Sequence, residues 1–324
     1  TTMMPSHQML HTRYGRTFLT FDQDEISGSY LLTFKNKEAE GGIHPDKRNG
    51  WGFDEDGHPI LSRNRVLNLL SRAFTRTDDG LDYMTQLPNP ISKGPYKGCY
   101  RGRDIVSMFI PDGINAEYTA KDRETDVVIE DGIVKEGVLD EKFFGTKSGV
   151  LAAAFVYRFG WDEGHQQLER MTNLLSRVVF AAHMEYGFSL GITDISFKGR
   201  QAEWIGDPIL GGPVGRFYDG IDEKFEEVNE RVSEVERLFR SRRLNEVEGI
   251  TEADLKTALK DPVLAKEQVI GRITKEYEDY ARESVLNEQP STNAMNITVN
   301  SGGRGNESQL QQMTAVYGQH QLTG

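Results

Sequence analysis

The sequence predicts an α+β fold: a mixed, β-rich first region carrying one long buried helix, followed by an antiparallel helical hairpin. Three observations carry that expectation. Asp131-Gly132 lies between the strand-like runs 126–130 and 133–139, the signature of a tight hairpin. Between Gly164 and Tyr186, Leu168, Met171, Leu175, Val178 and Ala182 are spaced three and four apart. Leu174 and Val179 broaden this buried stripe, and Gly187 ends it. Ile221, Phe225, Val228, Val232, Val235 and Phe239 then step by 4, 3, 4, 3, 4, a heptad seam flanked by Glu and Arg.

The remaining elements follow in order. Arg13 to Arg16 reads as a turn, Phe18 to Phe21 as a short strand, and Ser29 to Phe34 as either a strand or the end of a helix. Residues 35–59 are rich in Gly, Asp and Lys and predict a long surface loop. Val66, Leu67, Leu69, Leu70 and Phe74 give an amphipathic helix with Ser62 as its cap. Residues 86–103 are irregular, and Ile105 to Ile110 reads as β. Phe188 to Asp194 forms a turn-to-strand piece, and the Gly/Pro-rich stretch 199–220 marks a domain boundary. Thr251 to Asp254 has the form of a capping box with Asp in place of Glu. Asp261-Pro262 opens a second long helix that runs from about 263 to 286, with Ile270, Ile273 and Tyr277 on one face.

With 324 residues, 37% of them hydrophobic and 27% charged, the chain is long enough for two or three domains with sizeable cores. A net charge of −12 argues against a surface that coats nucleic acid generally, although a local basic groove fits within such a protein. Cys99 is the lone cysteine, which excludes an internal disulfide and fits a reducing compartment. No apolar run approaches the roughly 18 residues of a membrane span, and the first residues lack the form of a signal peptide. The sequence opens on Thr1, not Met, consistent with a piece excised from something longer.

Chemical candidates are few. Asp22, Asp24 and Glu25 could suggest a metal site, but capping is the simpler role. His7 and His11 lack further ligands for zinc. The Asn296 and Asn306 sequons are weak three-residue matches. The strongest candidate is Ser301-Gly302-Gly303-Arg304-Gly305, between a strand-like lead-in (Ile297, Val299) and a helix expected from Ser308. Glycine freedom, a helix N-terminus and a guanidinium would together suit a phosphate, although the same punctuation also serves an ordinary helix start. No complete catalytic constellation is present.

Five stretches in order resemble the largest subunit of multisubunit RNA polymerases, in its archaeal and eukaryotic form. They are Arg13 to Thr33 (family form SPRYGGP…QDYISGAYLLT), Gly102 to Pro111 (GKQLFSLILP), Gly137 to Asp140 (GVIDKK), Glu185 to Asp194 (HGFSxGIxD) and Asn300 to Gln321 (xSGAKGSxxNIxQxxxxVGQQ). Arg304 stands where many relatives have Lys, and Arg16-Thr17 where Gly-Pro is usual. The resemblance implies a pore region at 1–205, a funnel hairpin at 206–290 and the start of a cleft region at 291–324. Together these would line a secondary channel that admits nucleotides and releases backtracked RNA.

It also implies DNA-directed nucleotidyl transfer by the full complex, with no catalytic residue in this chain. The NADFDGD segment and the Mg2+ ligands would lie outside the chain. Arg304, Gly303 and Gly305 would contact the nucleotide triphosphate, and Gln309, Gln312 and Gln319 would line the channel wall. Implied partners are other polymerase subunits, nucleoside triphosphates, nascent RNA and template DNA, and a transcript-cleavage factor at the funnel; no membrane is implied. The location would be cytoplasmic and nucleoid-associated in an archaeon, nuclear in a eukaryote. Two alternatives stand beside this: a non-catalytic docking module whose 221–286 hairpin binds a partner protein, and a subunit from a split gene.

Overall fold

A computed structural model describes residues 8–11, 16–39, 41–45, 50–74, 86–145, 150–191, 194 and 213–315. The chain divides into two units, Thr1–Leu190 with Pro290–Asn306, and Gly191–Gln289 with Glu307–Gly324. The stretch 291–324 is thus shared between them. The fold is α+β, as expected.

The first unit is built around α1 (Asp24–Thr33), whose residues Ile26 to Ser29 and Leu31 to Thr33 are all buried. Helix wins over strand here because α1 lies inside the core. Gly28 lets it approach the long helix α5 (Val150–Tyr186) so closely that a Cβ would stand 2.7 Å from the Val179 carbonyl oxygen. The stripe read from Gly164 extends back to Val150, interrupted at Gly160, whose φ of 75° and ψ of −175° are not helical. Gly187, at φ 72°, terminates it.

Helix α2 (Arg63–Phe74) buries Val66, Leu69, Leu70 and Phe74, and the Ser62 hydroxyl accepts from the Arg65 N–H at its start. Glu185 on α5 faces it with a side chain 1% exposed, 3.3 Å from Arg65 and 3.3 Å from Arg72. Two guanidiniums around one buried carboxylate bind α2 to α5 and leave the acid paired, as a buried charge must be.

Several expectations are corrected. The 35–59 stretch is not a plain surface loop. Trp51–Phe53 forms β1, paired antiparallel with β2 (Pro59–Leu61), and Trp51, Phe53 and Ala39 are buried. The Asp54 carboxylate organises the intervening turn by accepting from the Asp56 and His58 N–H groups. Ile105 to Ile110 is not β: residues Gly102–Ser107 form the short helix α3, after β3 (Tyr100–Arg101) has paired with β2. Gly102 abuts the Leu32 carbonyl of α1, and tertiary packing at that contact decides the local structure of a run too short to declare itself. Phe18 to Phe21 forms no strand. Leu10 and Thr17 make an isolated bridge there, and Phe18 is exposed. Arg13, Tyr14 and Gly15 lie outside the described residues, as does most of the 199–220 boundary.

The second sheet, β4 (Ala116–Thr119), β5 (Asp126–Glu130) and β6 (Ile133–Glu136), is antiparallel in that order. Asp131 and Gly132 have φ of 50° and 75°, the double positive φ of a type I′ turn. The short helix α4 (Glu141–Phe144) follows, capped by Asp140.

In the second unit α6 (Pro213–Arg240) and α8 (Pro262–Glu288) run antiparallel, because Phe225 meets Tyr277 while Glu236 meets Lys266. Val228, Val235 and Leu238 pack with Val269, Ile270 and Ile273. Arg231 grips Glu276 at 2.6 Å. The expected hairpin carries more between its arms: a 3-10 turn at Leu244–Glu246 and helix α7 (Glu252–Ala258). The Thr251/Asp254 capping box is present, and Arg272 on α8 reaches the same Asp254 carboxylate at 2.5 and 3.0 Å. Asp261 caps α8, with Pro262 in its first turn.

Arg272 and the cap hydrogen bonds hold the Asp254 carboxyl down at about 2. A folded pKa below the unfolded value of about 4 stabilises the fold above that value and loses the contribution as pH falls through about 2. Acid titration followed by helical circular dichroism should therefore weaken the hairpin between about pH 4 and 2. Asp254→Asn should lower stability at neutral pH and flatten that acid step.

Candidate functional site

Residues 294–305 are where the sequence places the candidate, and the local structure there differs from the expected strand. The Asn293 side chain accepts from the Met295 and Asn296 N–H groups and opens helix α9 (Ala294–Ser301), with Ala294, Ile297 and Ser301 buried. Gly302 ends α9 in the left-handed region at φ 78°, ψ 8°. Its N–H returns to Val299 O at 3.1 Å, the Arg304 N–H to Thr298 O at 3.3 Å, and the Gly303 N–H to Ser301 Oγ at 3.2 Å. The turn is therefore a helix C-cap in which the N–H groups of Gly302, Gly303 and Arg304 are spent within the chain. With three neighbouring N–H groups taken up, an anion met here would be held chiefly by the Arg304 side chain.

That side chain is exposed and has no hydrogen bond or ion pair among the described residues. Its platform is closely fitted. A Cβ on Gly303 would stand 2.7 Å from Gln23 O and clash with Ser27 Oγ, so glycine is needed where the turn crosses the start of α1. Ser27 and Ser301 meet hydroxyl to hydroxyl at 3.3 Å. On the other side, the Lys121 ammonium donates to Val299 O at 2.9 Å and lies 3.5 Å from Glu141, whose side chain packs against Gly302. Asp140, fully buried, accepts from the Lys121 N–H at 2.6 Å and the Lys142 N–H at 2.9 Å. Burial pushes its carboxyl up to about 6 against the pull of those hydrogen bonds. Ser291 anchors the returning segment, donating its N–H to Glu38 and accepting from the Lys37 N–H at 3.1 Å.

Gly303, Arg304 and Gly305 thus share one turn of the first unit. Gln309 and Gln312 are exposed on α10 (Glu307–Thr314), which begins one residue earlier than expected and belongs to the second unit. Gln319 lies outside the described residues. Glu307 stands in the first turn of α10, 3.9 Å from Arg282 of α8. Asp22, Asp24 and Glu25 serve α1: Asp22 accepts from the Gln23 N–H, and Glu25 from the Asp22 N–H. Asn296 is buried, which is incompatible with glycosylation in the folded chain. Lys121, Glu141 and Ser27 escaped the sequence reading, because each meets the turn from more than 150 residues away with no local signal.

The segments on α1, Gly137 to Asp140 and Ser301 to Gly305 converge within one unit. The family model described as RNA polymerase Rpb1, domain 3 matches residues 8–195, and that described as RNA polymerase Rpb1, domain 4 matches residues 231–324. The chain belongs to the RNA polymerase Rpb1 family. Similar proteins include the DNA-directed RNA polymerase subunit Rpo1N of Halobacterium salinarum, 25% identical over 99% of this chain and 27% of that protein. The Rpo1N subunits of Methanothermobacter thermautotrophicus and Sulfolobus acidocaldarius are 24% and 23% identical, over 100% and 99% of this chain and 31% of each protein. This Rpb1-family chain spans about a third or less of the length of these relatives.

Gly303→Ala should cost about 1–3 kcal/mol, the usual range for overpacking. Denaturant unfolding would reveal it as a lower midpoint with an unchanged slope.

Proposed function

We propose that the chain forms the pore and funnel walls of a DNA-directed RNA polymerase largest subunit, beside the channel that admits nucleotides and releases backtracked RNA. In this reading it works with other polymerase subunits, nucleoside triphosphates, template DNA and nascent RNA. The observation that carries it is the family match over residues 8–195 and 231–324, the second taking in most of the hairpin, joined to an exposed guanidinium on a closely packed turn. Arg304 would hold the triphosphate of the incoming nucleotide through two-pronged contacts to phosphate oxygens. Among the described residues no group of three or more His, Cys, Asp or Glu is placed to hold a metal ion. No step is therefore assigned to magnesium through this chain's residues, and in this reading its ligands come from polypeptide outside the chain.

In the assembled polymerase, Arg304→Ala should raise the apparent nucleotide KM by about tenfold or more, the loss of one charge-assisted contact. Arg304→Lys, which keeps the charge without the fork, should fall between. Single-nucleotide addition kinetics measure both, and an unchanged KM in Arg304→Ala removes the role.

A docking role for the hairpin has its own support. Leu259 and Val263, at the turn between α7 and α8, are 87% and 62% exposed, an apolar pair outside the hairpin's core among the described residues. Leu259→Asp should abolish capture of a transcript-cleavage factor and leave basal synthesis intact. Pull-down with the factor, run beside a primer-extension assay, tests this directly.

A further inference from the structure

We propose that Lys121 is a positioning residue for Arg304, fixing the direction in which the turn presents its guanidinium. This deepens the triphosphate-contact reading and rests on it. Lys121 lies in the connection between β4 and β5, far from Arg304 in sequence, and its ammonium donates to Val299 O at 2.9 Å. That carbonyl also accepts from the Gly302 N–H, so one oxygen joins the lysine to the first residue of the turn. A cation at a helix C-terminus is favoured by the terminal carbonyls as well as by the hydrogen bond itself.

The lysine is itself fixed at both ends. Its backbone N–H is held at 2.6 Å by Asp140, and its ammonium stands 3.5 Å from Glu141 on the next residue. Glu141 packs against Gly302, so the same ion pair that steadies the lysine also bounds the turn. On the opposite side, Ser27 and Gln23 O close on Gly303. The turn is therefore confined between the start of α1 and the Lys121–Glu141 pair. The exposed Arg304 side chain, which has several rotatable bonds, projects from this confined base. Removing the ammonium would leave Val299 O with the Gly302 N–H alone and loosen the C-terminal turn of α9, and a contact to a phosphate is sensitive to small shifts of its base.

The test uses the assembled polymerase and compares Lys121→Met, Lys121→Arg, Arg304→Ala and the Lys121→Met/Arg304→Ala double variant. Lys121→Met should raise the nucleotide KM several-fold with little change in kcat, and Lys121→Arg should restore most of the loss. In the Arg304→Ala background Lys121→Met should have no further effect on KM, because there is no guanidinium left to position. Amide hydrogen exchange should also quicken at Gly302 and Arg304 in Lys121→Met. A KM effect that persists undiminished in the double variant, or a Lys121→Met enzyme with normal KM beside an impaired Arg304→Ala, overturns the proposal. If Arg304→Ala itself leaves KM unchanged, the triphosphate reading fails and this inference with it. Faster exchange at Gly302 would then show the clamp to be purely structural.

Discussion

Close backbone approach around α1 is the constraint on which the first unit depends. Gly28 admits α5, Gly102 lets α3 abut the Leu32 carbonyl, and Gly303 lets the candidate turn cross Ser27 and Gln23. At each contact a methyl group would fall inside the van der Waals distance of a backbone oxygen. The helix answers with small polar residues whose hydrogen bonds are satisfied. Ser29 donates to the Glu25 carbonyl, and Thr33 donates to Ser29 O while accepting from the Leu139 N–H. A core assembled in this way gains packing contacts on every side of one short helix, and it tolerates volume changes poorly.

That same burial explains what the sequence could and could not disclose. The α5 stripe and the α6 heptad were legible because each has one wet face, and amphipathic spacing records which face is dry. The α1 segment is buried on nearly every side, so its periodicity does not distinguish helix from strand and packing decides between them. α3 and α9 are hard to read from sequence for a related reason. Each is a short helix containing β-branched residues, held by tertiary contacts and, in α9, by the Asn293 cap. The Asn293 cap was readable in principle, since Asn before Ala-Met is a favoured helix start. The β1–β2 hairpin was hidden by the Gly and Asp of its own turn, which read as loop when the strands have only three residues each.

The second unit rests on different chemistry. Its apolar seam is narrow, and its register is reinforced by charge: Arg231 with Glu276 along the arms, and Arg272 with Asp254 near the tip. Exposed ion pairs contribute little individually. The Asp254 pair differs, because its carboxylate is buried and also serves the α7 cap, so one side chain orients two helices. Sequence reading found the cap from Thr251 to Asp254 but not Arg272, whose partner lies eighteen residues away on another helix.

The candidate turn separates rigidity from contact. Sequence alone leaves two readings of it, an ordinary helix start or a phosphate site built from a glycine turn, a helix N-terminus and a guanidinium. The structure instead spends the N–H groups of Gly302, Gly303 and Arg304 on Val299, Ser301 and Thr298, and uses the glycines for close packing and for positive φ at Gly302 and Gly305. Recognition at the turn therefore falls chiefly to one long side chain projecting from a closely packed base. Exchanging Arg for Lys at that point alters fork geometry and hydration but disturbs no backbone hydrogen bond. A platform of this kind can keep its shape while the group it presents is changed, and both basic residues are compatible with the same turn.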